Sequence, residues 1–333
     1  MSPMTSASGL RVAIMTDETG WHTGRLRKAF RTRGVEARCV DLATCRIDTS
    51  WSPSGLAIPG FARDLPDAVF VRGIAGGTFE QVTLRLGILH ALRECGVPVY
   101  NDARAIERSV DKSMTSFLLH RAGVPTPPAW ATESAAFAQR VLMRETAAAH
   151  QVVLKPLFGS QGKGLRRLGA HPATGALTPL PALRRYSEVA YLQRFVGHAR
   201  SRPLGYDWRV LVIGGRAVAA MRRTGGRGWI HNVARGARCE AAVLDATLAS
   251  LAERATAALG LDYAGVDLIP DLSTPRQTGE PLVLEVNGVA AWRGLQSVTP
   301  VDIAAALVDD LLDRKLAAHG SPPLPAVPLH AGR

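Results

Sequence analysis

The first hundred residues alternate between short apolar runs and longer segments with helical periodicity. The predicted strands cover 10–16, 35–42, 67–73 and 96–102, and the predicted helices between them cover 22–33 and 78–94. Strands that alternate with helices favour a parallel sheet with helices on its faces. No G-x-G-x-x-G follows the first strand, so a dinucleotide site there has little support.

The rest of the chain shows longer strand patterns, interrupted by breaks rich in glycine and proline. Helices are predicted at 103–122, 243–259 and 300–318, and strands at 150–157, 189–196, 264–271, 281–288 and, as a hairpin turning at Gly214-Gly215, 206–223. Three prolines in GVPTPP (123–128) end the first of these helices and mark a junction between lobes.

These breaks predict several folded parts rather than one core. The expected parts are an N-terminal βα domain (1–103), a lobe with a glycine-rich loop (104–196), a C-terminal lobe (197–318) and a disordered tail (319–333). No apolar run approaches the ~18 residues of a membrane helix, and the first residues do not resemble a signal peptide. The four cysteines form no C-x-x-C pair, so a cytoplasmic protein with free thiols and no membrane partner is expected.

The formal net charge of +12 suggests nucleic-acid binding, but the distribution of the positive residues argues against it. The arginines are spread along the chain, with no run of five like charges and no DNA- or RNA-binding motif. Only five basic residues are lysines, so a lysine indicates a position that needs a compact, flexible point charge. Three of them, Lys112, Lys155 and Lys163, lie within the motifs below.

The sequence GSQGKG (159–164) has the composition of a phosphate-binding loop, because glycines let backbone N–H groups approach anionic oxygens. It is not a P-loop, since Gly164 rather than Ser or Thr follows Lys163. Lys155 precedes it in an apolar strand, where a lysine needs an anionic partner such as a nucleotide phosphate. The alternative is a glycine-rich hairpin turn beside a lysine that extends to solvent.

Two apolar strands near the C-terminus carry carboxylates and an amide. Glu285 and Asn287 alternate in LVLEVNG and therefore share one face of their strand, while Asp267 interrupts GVDLIP. Antiparallel pairing across the 271–281 turn would place Asp267 beside Glu285. Carboxylate and amide oxygens on one face suit Mg²⁺, although an ion pair with one of the many arginines is the plainer alternative for Asp267 alone.

In this order, the motifs resemble the ATP-grasp superfamily of carboxylate–amine ligases, and most closely its RimK-like glutamate ligases. The resemblance covers about residues 67–310. The matching segments are DK (111–112), VVLKPLFGSQGKG (152–164), LQRFV (192–196), DWRVLVIGGRAVAAMRR (207–223), WIHNVARGA (229–237), LGLDYAGVDLI (259–269) and PLVLEVNG (281–288). The implied fold is mixed α/β (α+β), an ATP-grasp fold preceded by a pre-ATP-grasp domain with a parallel sheet.

The resemblance also implies roles for individual residues. ATP would be bound by Lys112, Lys155, Gly159, Ser160, Gln161, Gly162, Gly164, Gln193, Arg194, Phe195, Val196 and Asp207. One or two Mg²⁺ ions, or Mn²⁺ in their place, would be held by Asp267, Glu285 and Asn287. The catalytic residues near the γ-phosphate and the acceptor carboxylate would be Arg222, Asn232 and Arg235. One departure is Arg194, where this branch usually has an acidic residue.

The implied reaction activates a carboxylate as an acyl phosphate, which an amine then attacks to give an amide, ADP and phosphate. The amine is expected to be L-glutamate. After Asn287 the chain reads GVAAWRGLQ (288–296), whereas relatives that modify a ribosomal protein tend to read SSPG. This tail resembles ligases that glutamylate pterin or deazaflavin coenzymes, notably the tetrahydromethanopterin ligases, so a small cofactor-like acceptor is expected.

Three alternatives remain open at the level of sequence. The acceptor could be the C-terminus of a protein or peptide, the protein could be an ATP-binding regulator without turnover, or the charge could reflect nucleic-acid binding. The intact D…E-x-N set argues against the regulator. The linkage, the number of residues added and the oligomeric state are not determined, and a homo-oligomer is compatible with the sequence.

Overall fold

A computed structural model describes residues 9–159, 163–171, 174–196, 205–225, 229, 236–272 and 279–319. It divides the chain into two compact units. The first unit comprises residues 1–103 and 303–333, and the second unit comprises residues 104–302. Within the described ranges, no helix is long and apolar enough to cross a membrane.

The first unit is built around a four-stranded parallel sheet. The strands of this unit are β1 (Arg11–Met15), β2 (Glu36–Val40), β3 (Arg46–Ile47), β4 (Leu56–Ala57), β5 (Ala68–Val71) and β6 (Val99–Tyr100). The first helices of the unit are α1 (Trp21–Thr32) and α2 (Phe79–Glu94). The sheet order is β2-β1-β5-β6, while β3 and β4 form a separate antiparallel pair. The predicted parallel sheet with helices between its strands is therefore confirmed.

The end of the chain belongs to this first unit as well. After α8 (Ile303–Asp309) comes a π-helical segment, Asp310–Leu316, and then a short helix, α9 (Ala317–His319). Arg33 pairs with Asp309, and the hydroxyl of Tyr100 donates to Asp310 Oδ2 at 2.6 Å. The last helix thus groups with the parallel sheet, whereas the sequence pattern predicts that 300–318 belongs to the C-terminal lobe. The tail from 320 lies outside the described residues.

The second unit contains two antiparallel sheets. Its strands are β7 (Ala129–Thr132), β8 (Val152–Lys155), β9 (Arg166–Leu168), β10 (Ala190–Arg194), β11 (Tyr206–Ile213), β12 (Arg216–Thr224), β13 (Arg238–Ala241), β14 (Tyr263–Pro270) and β15 (Pro281–Asn287). Its helices are α3 (Ala103–Val110), α4 (Lys112–Arg121), α5 (Ala135–Ala147), α6 (Ala246–Leu259) and α7 (Arg293–Gln296). The sheet orders are β7-β10-β8-β9 and β13-β12-β11-β14-β15.

The predicted helix over 103–122 is instead two helices that meet at Asp111. The Asp111 carboxylate accepts hydrogen bonds from the backbone N–H groups of Ser113 and Met114, at 2.8 and 3.0 Å. An aspartate in this position satisfies N–H groups at the start of a helix and therefore favours a new helix over a continuous one. The break makes Lys112 the first residue of α4.

Each sheet of the second unit has one apolar face and one polar face. The apolar face of the five-stranded sheet packs against α6 through a buried cluster that includes Val210, Val212, Val266, Leu268, Val283, Val286, Leu251, Ala252 and Ala255. The apolar face of the four-stranded sheet packs against α5 through Val152, Leu154, Ala190, Leu192, Ala138, Val141 and Leu142. Because strand residues alternate between faces, the chemically active side chains lie on the two remaining faces.

We predict that the core beneath the five-stranded sheet tolerates truncation poorly. Leu268 is fully buried in that core, so Leu268→Ala should lower the free energy of unfolding by about 2–5 kcal/mol. Urea denaturation measures the change. Val243 is 84% exposed, and Val243→Ala is the matched control, with an expected effect within about 0.5 kcal/mol. Equal effects of the two substitutions would contradict this account of the core.

Candidate active site

Two lysines lie at the base of the glycine-rich loop. Lys155 is the last residue of β8, and its Nζ donates to Gln193 Oε1 at 2.5 Å. Lys112 Nζ donates to the carbonyl oxygens of Leu157 and Gly159, at 3.2 and 2.9 Å. Helix α4 and strand β8 therefore bring both lysines, predicted from the sequence to bind ATP, to the same loop.

The electrostatics of these lysines link them to Glu285. Burial lowers the pKa of Lys155 to about 8; the charge of Glu285 opposes the shift, and the charge of Lys112 adds to it. Burial also lowers the pKa of Lys112, against the charges of Glu285 and Asp111. Within the described part of the chain, neither lysine forms an ion pair. Two neighbouring ammonium groups that lack a paired anion suit a phosphate ligand.

The end of the glycine-rich loop requires glycine at position 164. Gly164 has a φ of 72°, and a Cβ there would lie 2.8 Å from Cγ of Pro156. The Tyr186 hydroxyl donates to the Gly164 carbonyl oxygen at 3.0 Å and so fixes this end of the loop. Gly159 begins the loop. Ser160, Gln161 and Gly162 lie outside the described residues, so their contact with phosphate stays a prediction.

Gln193 supplies a polar atom that fits a nucleotide base. Its side chain is 1% exposed, and its Nε2 has no hydrogen-bond partner in the described structure, because the only contact of the amide group is Oε1 with Lys155. A buried donor without an acceptor costs about 1–3 kcal/mol. A purine ring carries acceptor nitrogens that could satisfy it. The Gln193 side chain therefore fits the predicted adenine pocket.

The structure explains the unusual Arg194 of the hinge. Its Nε donates to Glu145 Oε2 of α5 at 2.8 Å, and Glu145 is 3% exposed. Burial opposes the charged form of Glu145, but Arg194 outweighs it and keeps the Glu145 pKa below its ordinary value. The Arg194 side chain is thus held by Glu145 of α5, and its contact with ATP stays a prediction. The backbone N–H of Phe195 donates to the Gln151 carbonyl oxygen at 2.8 Å, and Val196 is buried.

The polar face of the five-stranded sheet gathers charged side chains from four strands. We call these residues the polar face: Asp207 and Arg209 on β11, Arg223 on β12, Asp267 on β14, and Glu285 and Asn287 on β15. Asp267 lies directly opposite Glu285, and Gly265 opposite Asn287, as the predicted antiparallel pairing required. One surface therefore combines the nucleotide-contacting aspartate and the three metal ligands predicted from the sequence.

Two arginines hold the buried carboxylate of Asp267. Arg209 donates to both Asp267 oxygens, each at 2.7 Å, and Arg223 Nη2 lies 3.1 Å from Oδ2. Arg223 also forms a bidentate pair with Asp207, at 2.6 and 2.9 Å. Burial opposes the charge of Asp267, but the arginines hold its pKa below the ordinary value. Asp267 is therefore an arginine-paired carboxylate, as the plainer interpretation predicts. It also lies on the same sheet face as the other two predicted metal ligands, Glu285 and Asn287.

Neither Arg209 nor Arg223 is among the site residues predicted from the sequence. A signal was available, because D-x-R places Asp207 and Arg209 on the same strand face. Arg222, predicted to be catalytic, lies on the other face of β12, with a side chain that is 48% exposed and bonds to Glu240 at 2.7 Å. Successive strand residues point in opposite directions, so Arg223 rather than Arg222 reaches the polar face. Asn232 and Arg235 lie outside the described residues.

The donor set fits a hard cation that keeps other oxygen ligands. Glu285 makes no hydrogen bond or ion pair with any described residue, and Asn287 Nδ2 donates to the Gly265 carbonyl oxygen at 3.2 Å. Among the described residues, no three His, Cys, Asp or Glu side chains form a metal site by themselves. Two carboxylates and one amide oxygen, supplemented by water and phosphate, match the preference of Mg²⁺.

Comparison with known proteins decides the family. The family described as the RimK-like ATP-grasp domain matches residues 109–311, and the one described as the RimK PreATP-grasp domain matches residues 10–106. The chain belongs to the RimK-like ATP-grasp family. ATP-grasp proteins of this kind are ATP-dependent ligases that generally use a divalent metal, so this chain is an ATP-dependent ligase.

Two curated relatives that are named as ligases align with this chain over almost their full length. A tetrahydromethanopterin:alpha-L-glutamate ligase of Methanosarcina acetivorans is 30% identical over 306 residues, covering 84% of this chain and 92% of the relative. A probable alpha-L-glutamate ligase 2 of Hahella chejuensis is 32% identical over 306 residues, covering 91% of this chain and 95% of the relative. The predicted RimK-like glutamate ligase branch is confirmed.

Solved structures support the fold. The ATP-grasp ligase PsnB in complex with a precursor peptide and AMPPNP has a TM-score of 0.64 at 23% identity, covering 94% of this chain and all of that chain. The D-cycloserine synthetase DcsG has a TM-score of 0.64 at 20% identity, covering 91% and 99%. The predicted ATP-grasp fold with its N-terminal parallel-sheet domain is confirmed.

The depressed pKa of Lys155 predicts that nucleotide binding takes up protons under alkaline conditions. Above pH 8 a growing share of Lys155 is neutral in the ligand-free protein, and a bound phosphate would favour the charged form. Mg²⁺–ADP affinity should therefore fall as pH rises through about 8, with uptake of up to about one proton at pH 8.5. Calorimetry in buffers of different ionisation enthalpy measures the uptake.

The matched variant for this measurement is Lys155→Arg, because arginine stays charged at pH 8.5. Its proton uptake should disappear while nucleotide binding at pH 7 persists. Undiminished uptake in the arginine variant would assign the proton to another group.

Proposed function

We propose that this protein is a Mg²⁺-dependent ligase that joins L-glutamate to a carboxylate of a small cofactor-like acceptor, of the tetrahydromethanopterin type. The observation that carries the proposal is the polar face, on which Asp267 lies directly opposite Glu285, together with Lys112 and Lys155 at the base of the glycine-rich loop. The charge of Glu285 acts on both lysines, as expected where a metal ion and phosphates would share one site. The names of the glutamate ligase relatives support the choice of amino acid and acceptor.

Each part of the site has a role in this reaction. Lys112 and Lys155 would bind phosphate oxygens and spread the negative charge that develops during phosphoryl transfer. Asp267, Glu285 and Asn287 would hold Mg²⁺, which supplies further neutralisation of the phosphates. Gln193 and the backbone at the hinge would orient the base. ATP supplies the phosphoryl group that activates the acceptor carboxylate for attack by the amine.

The segment 288–296 is a candidate for acceptor recognition, because it runs across the polar face. Ala290 packs so closely on β14 that a Cβ at Gly265 would lie 2.8 Å from the Ala290 Cβ. Arg209 Nη1 donates to the Ala291 carbonyl oxygen at 3.4 Å, and Trp292 is 1% exposed. Trp292 is therefore a buried aromatic that would anchor the segment, and the residues around it would shape the acceptor site.

A cytoplasmic location is part of the proposal. The four cysteines, Cys39, Cys45, Cys95 and Cys239, are free thiols. Unpaired thiols are typical of reducing compartments.

The test is a screen of candidate acceptors with ATP, Mg²⁺ and glutamate, read by product mass and by ADP release. Reduced pterins, deazaflavin coenzymes and acidic peptides form the panel. We expect a pterin or deazaflavin product that gains the mass of glutamyl residues, with one ADP for each residue. A peptide product would replace the small acceptor with a protein C-terminus, and ATP binding without any product would favour the regulator.

The metal assignment is tested separately by Glu285→Ala. Loss of a carboxylate that holds the metal should reduce kcat by on the order of 10³-fold, because metal-ion catalysis contributes several kcal/mol. The exposed Glu133, replaced by alanine, is the control and should keep normal turnover. Full turnover by the Glu285→Ala variant would show that Glu285 does not hold the metal ion.

A further inference from the structure

We propose that Arg209 withholds Asp267 from the metal ion until nucleotide is present, so that metal and nucleotide bind together. This inference rests on the proposed function, because it assumes that Asp267 is a metal ligand. It concerns the order of binding, which neither the family nor the predicted ligand set determines. Arg209 is accordingly a positioning residue that acts through Asp267.

Arginines occupy most of the lone pairs of Asp267. A carboxylate offers about four acceptor positions. Arg209 occupies one on each oxygen at 2.7 Å, and Arg223 occupies a second on Oδ2 at 3.1 Å. One position on Oδ1 is left for a cation, beside a guanidinium that already bonds to the same oxygen. A metal ion that reaches Asp267 therefore has to compete with Arg209.

The charges of the groups paired with Asp267 also disfavour binding of a metal ion alone. Two carboxylates, Asp207 and Asp267, and two guanidiniums, Arg209 and Arg223, form one contiguous cluster whose formal charges cancel. Glu285 attracts a dication, but the cluster beside it adds little net attraction, and the nearest arginine repels the ion. A nucleotide brings several negative charges to the same site. It therefore favours the metal and offers the displaced guanidinium an alternative partner.

Arg209 and Arg223 differ in how firmly carboxylates hold them. Arg223 is held by two carboxylates, and its side chain is 4% exposed, so it cannot leave without stranding Asp207. Among the described residues, Arg209 pairs with a single carboxylate, that of Asp267, and makes one long bond to the Ala291 carbonyl oxygen; its side chain is 15% exposed. Arg209 is thus the guanidinium that can turn away from Asp267 at the lower cost.

The test is a titration of the full chain with Mn²⁺, followed by electron paramagnetic resonance, with and without ADP. The wild-type protein should bind Mn²⁺ weakly alone and much more tightly with ADP. Arg209→Met should raise the nucleotide-free Mn²⁺ affinity by at least about tenfold, because one competing charge is removed. The ratio of affinities with and without ADP should shrink. Arg209→Lys keeps the charge without the fork and should lie between the two.

The control is Arg216→Met, which removes an exposed arginine of β12 and should leave both affinities unchanged. A role of Arg209 in stability alone predicts weaker, not tighter, metal binding. An unchanged or weaker nucleotide-free affinity in Arg209→Met would overturn the inference. If that variant does not fold, Arg209→Gln is read by the same criterion, since it is neutral and keeps a polar side chain.

The two proposals fail in different ways. A wild-type protein that binds ADP and Mn²⁺ as a pair, with no gain in the Arg209 variants, refutes only the role of Arg209. A wild-type protein that binds no Mn²⁺ even with ADP refutes the metal site itself, and the proposed function with it.

Discussion

The pairing of β14 with β15 is the constraint on which the site depends. It sets Asp267 opposite Glu285, with an irregularity in register between Asp267 and Leu268. A shift by one residue would turn every polar side chain of β15 into the core. The fully buried Val283 and Val286 prevent such a shift, because they fill the apolar face over α6. The hydrophobic core thus determines which atoms face the ligand.

The polar face and the lysines at the glycine-rich loop contribute little to the stability of the fold by themselves. Buried ion pairs such as Arg223 with Asp207 seldom contribute much stability, since desolvation offsets their attraction. Lys155 is held with a depressed pKa, and the Nε2 of Gln193 is buried without a partner in the described structure. Groups in such states are more favourable once an anion, a cation and a base are bound. The arrangement is therefore organised for a ligand rather than for stability.

The sequence predicted what depends on local pattern and on close pairing. The alternation in E-x-N and antiparallel pairing across the 271–281 turn were sufficient to predict Glu285 beside Asp267. Contacts between residues that are distant in the chain could not be predicted from the sequence. Arg194 pairs with Glu145 on α5, and nothing in an arginine-rich sequence indicates which arginine meets which carboxylate. The catalytic role of Arg222 stays a prediction, and which of Arg222 and Arg223 shares a face with Asp207 becomes definite only from the register of β11 with β12.

Arg209 would link metal binding to acceptor recognition in the proposed reaction. Arg209 bonds to the carboxylate of Asp267 through two nitrogens, and its third nitrogen donates to the Ala291 carbonyl oxygen. Any movement of its guanidinium away from Asp267 alters its contact with the segment 288–296. Because that segment continues directly from the strand bearing Glu285 and Asn287, metal binding at the proposed site would change the surface that the acceptor meets. Such coupling would order the acceptor site after the nucleotide, so that ATP is positioned before a carboxylate is offered to it.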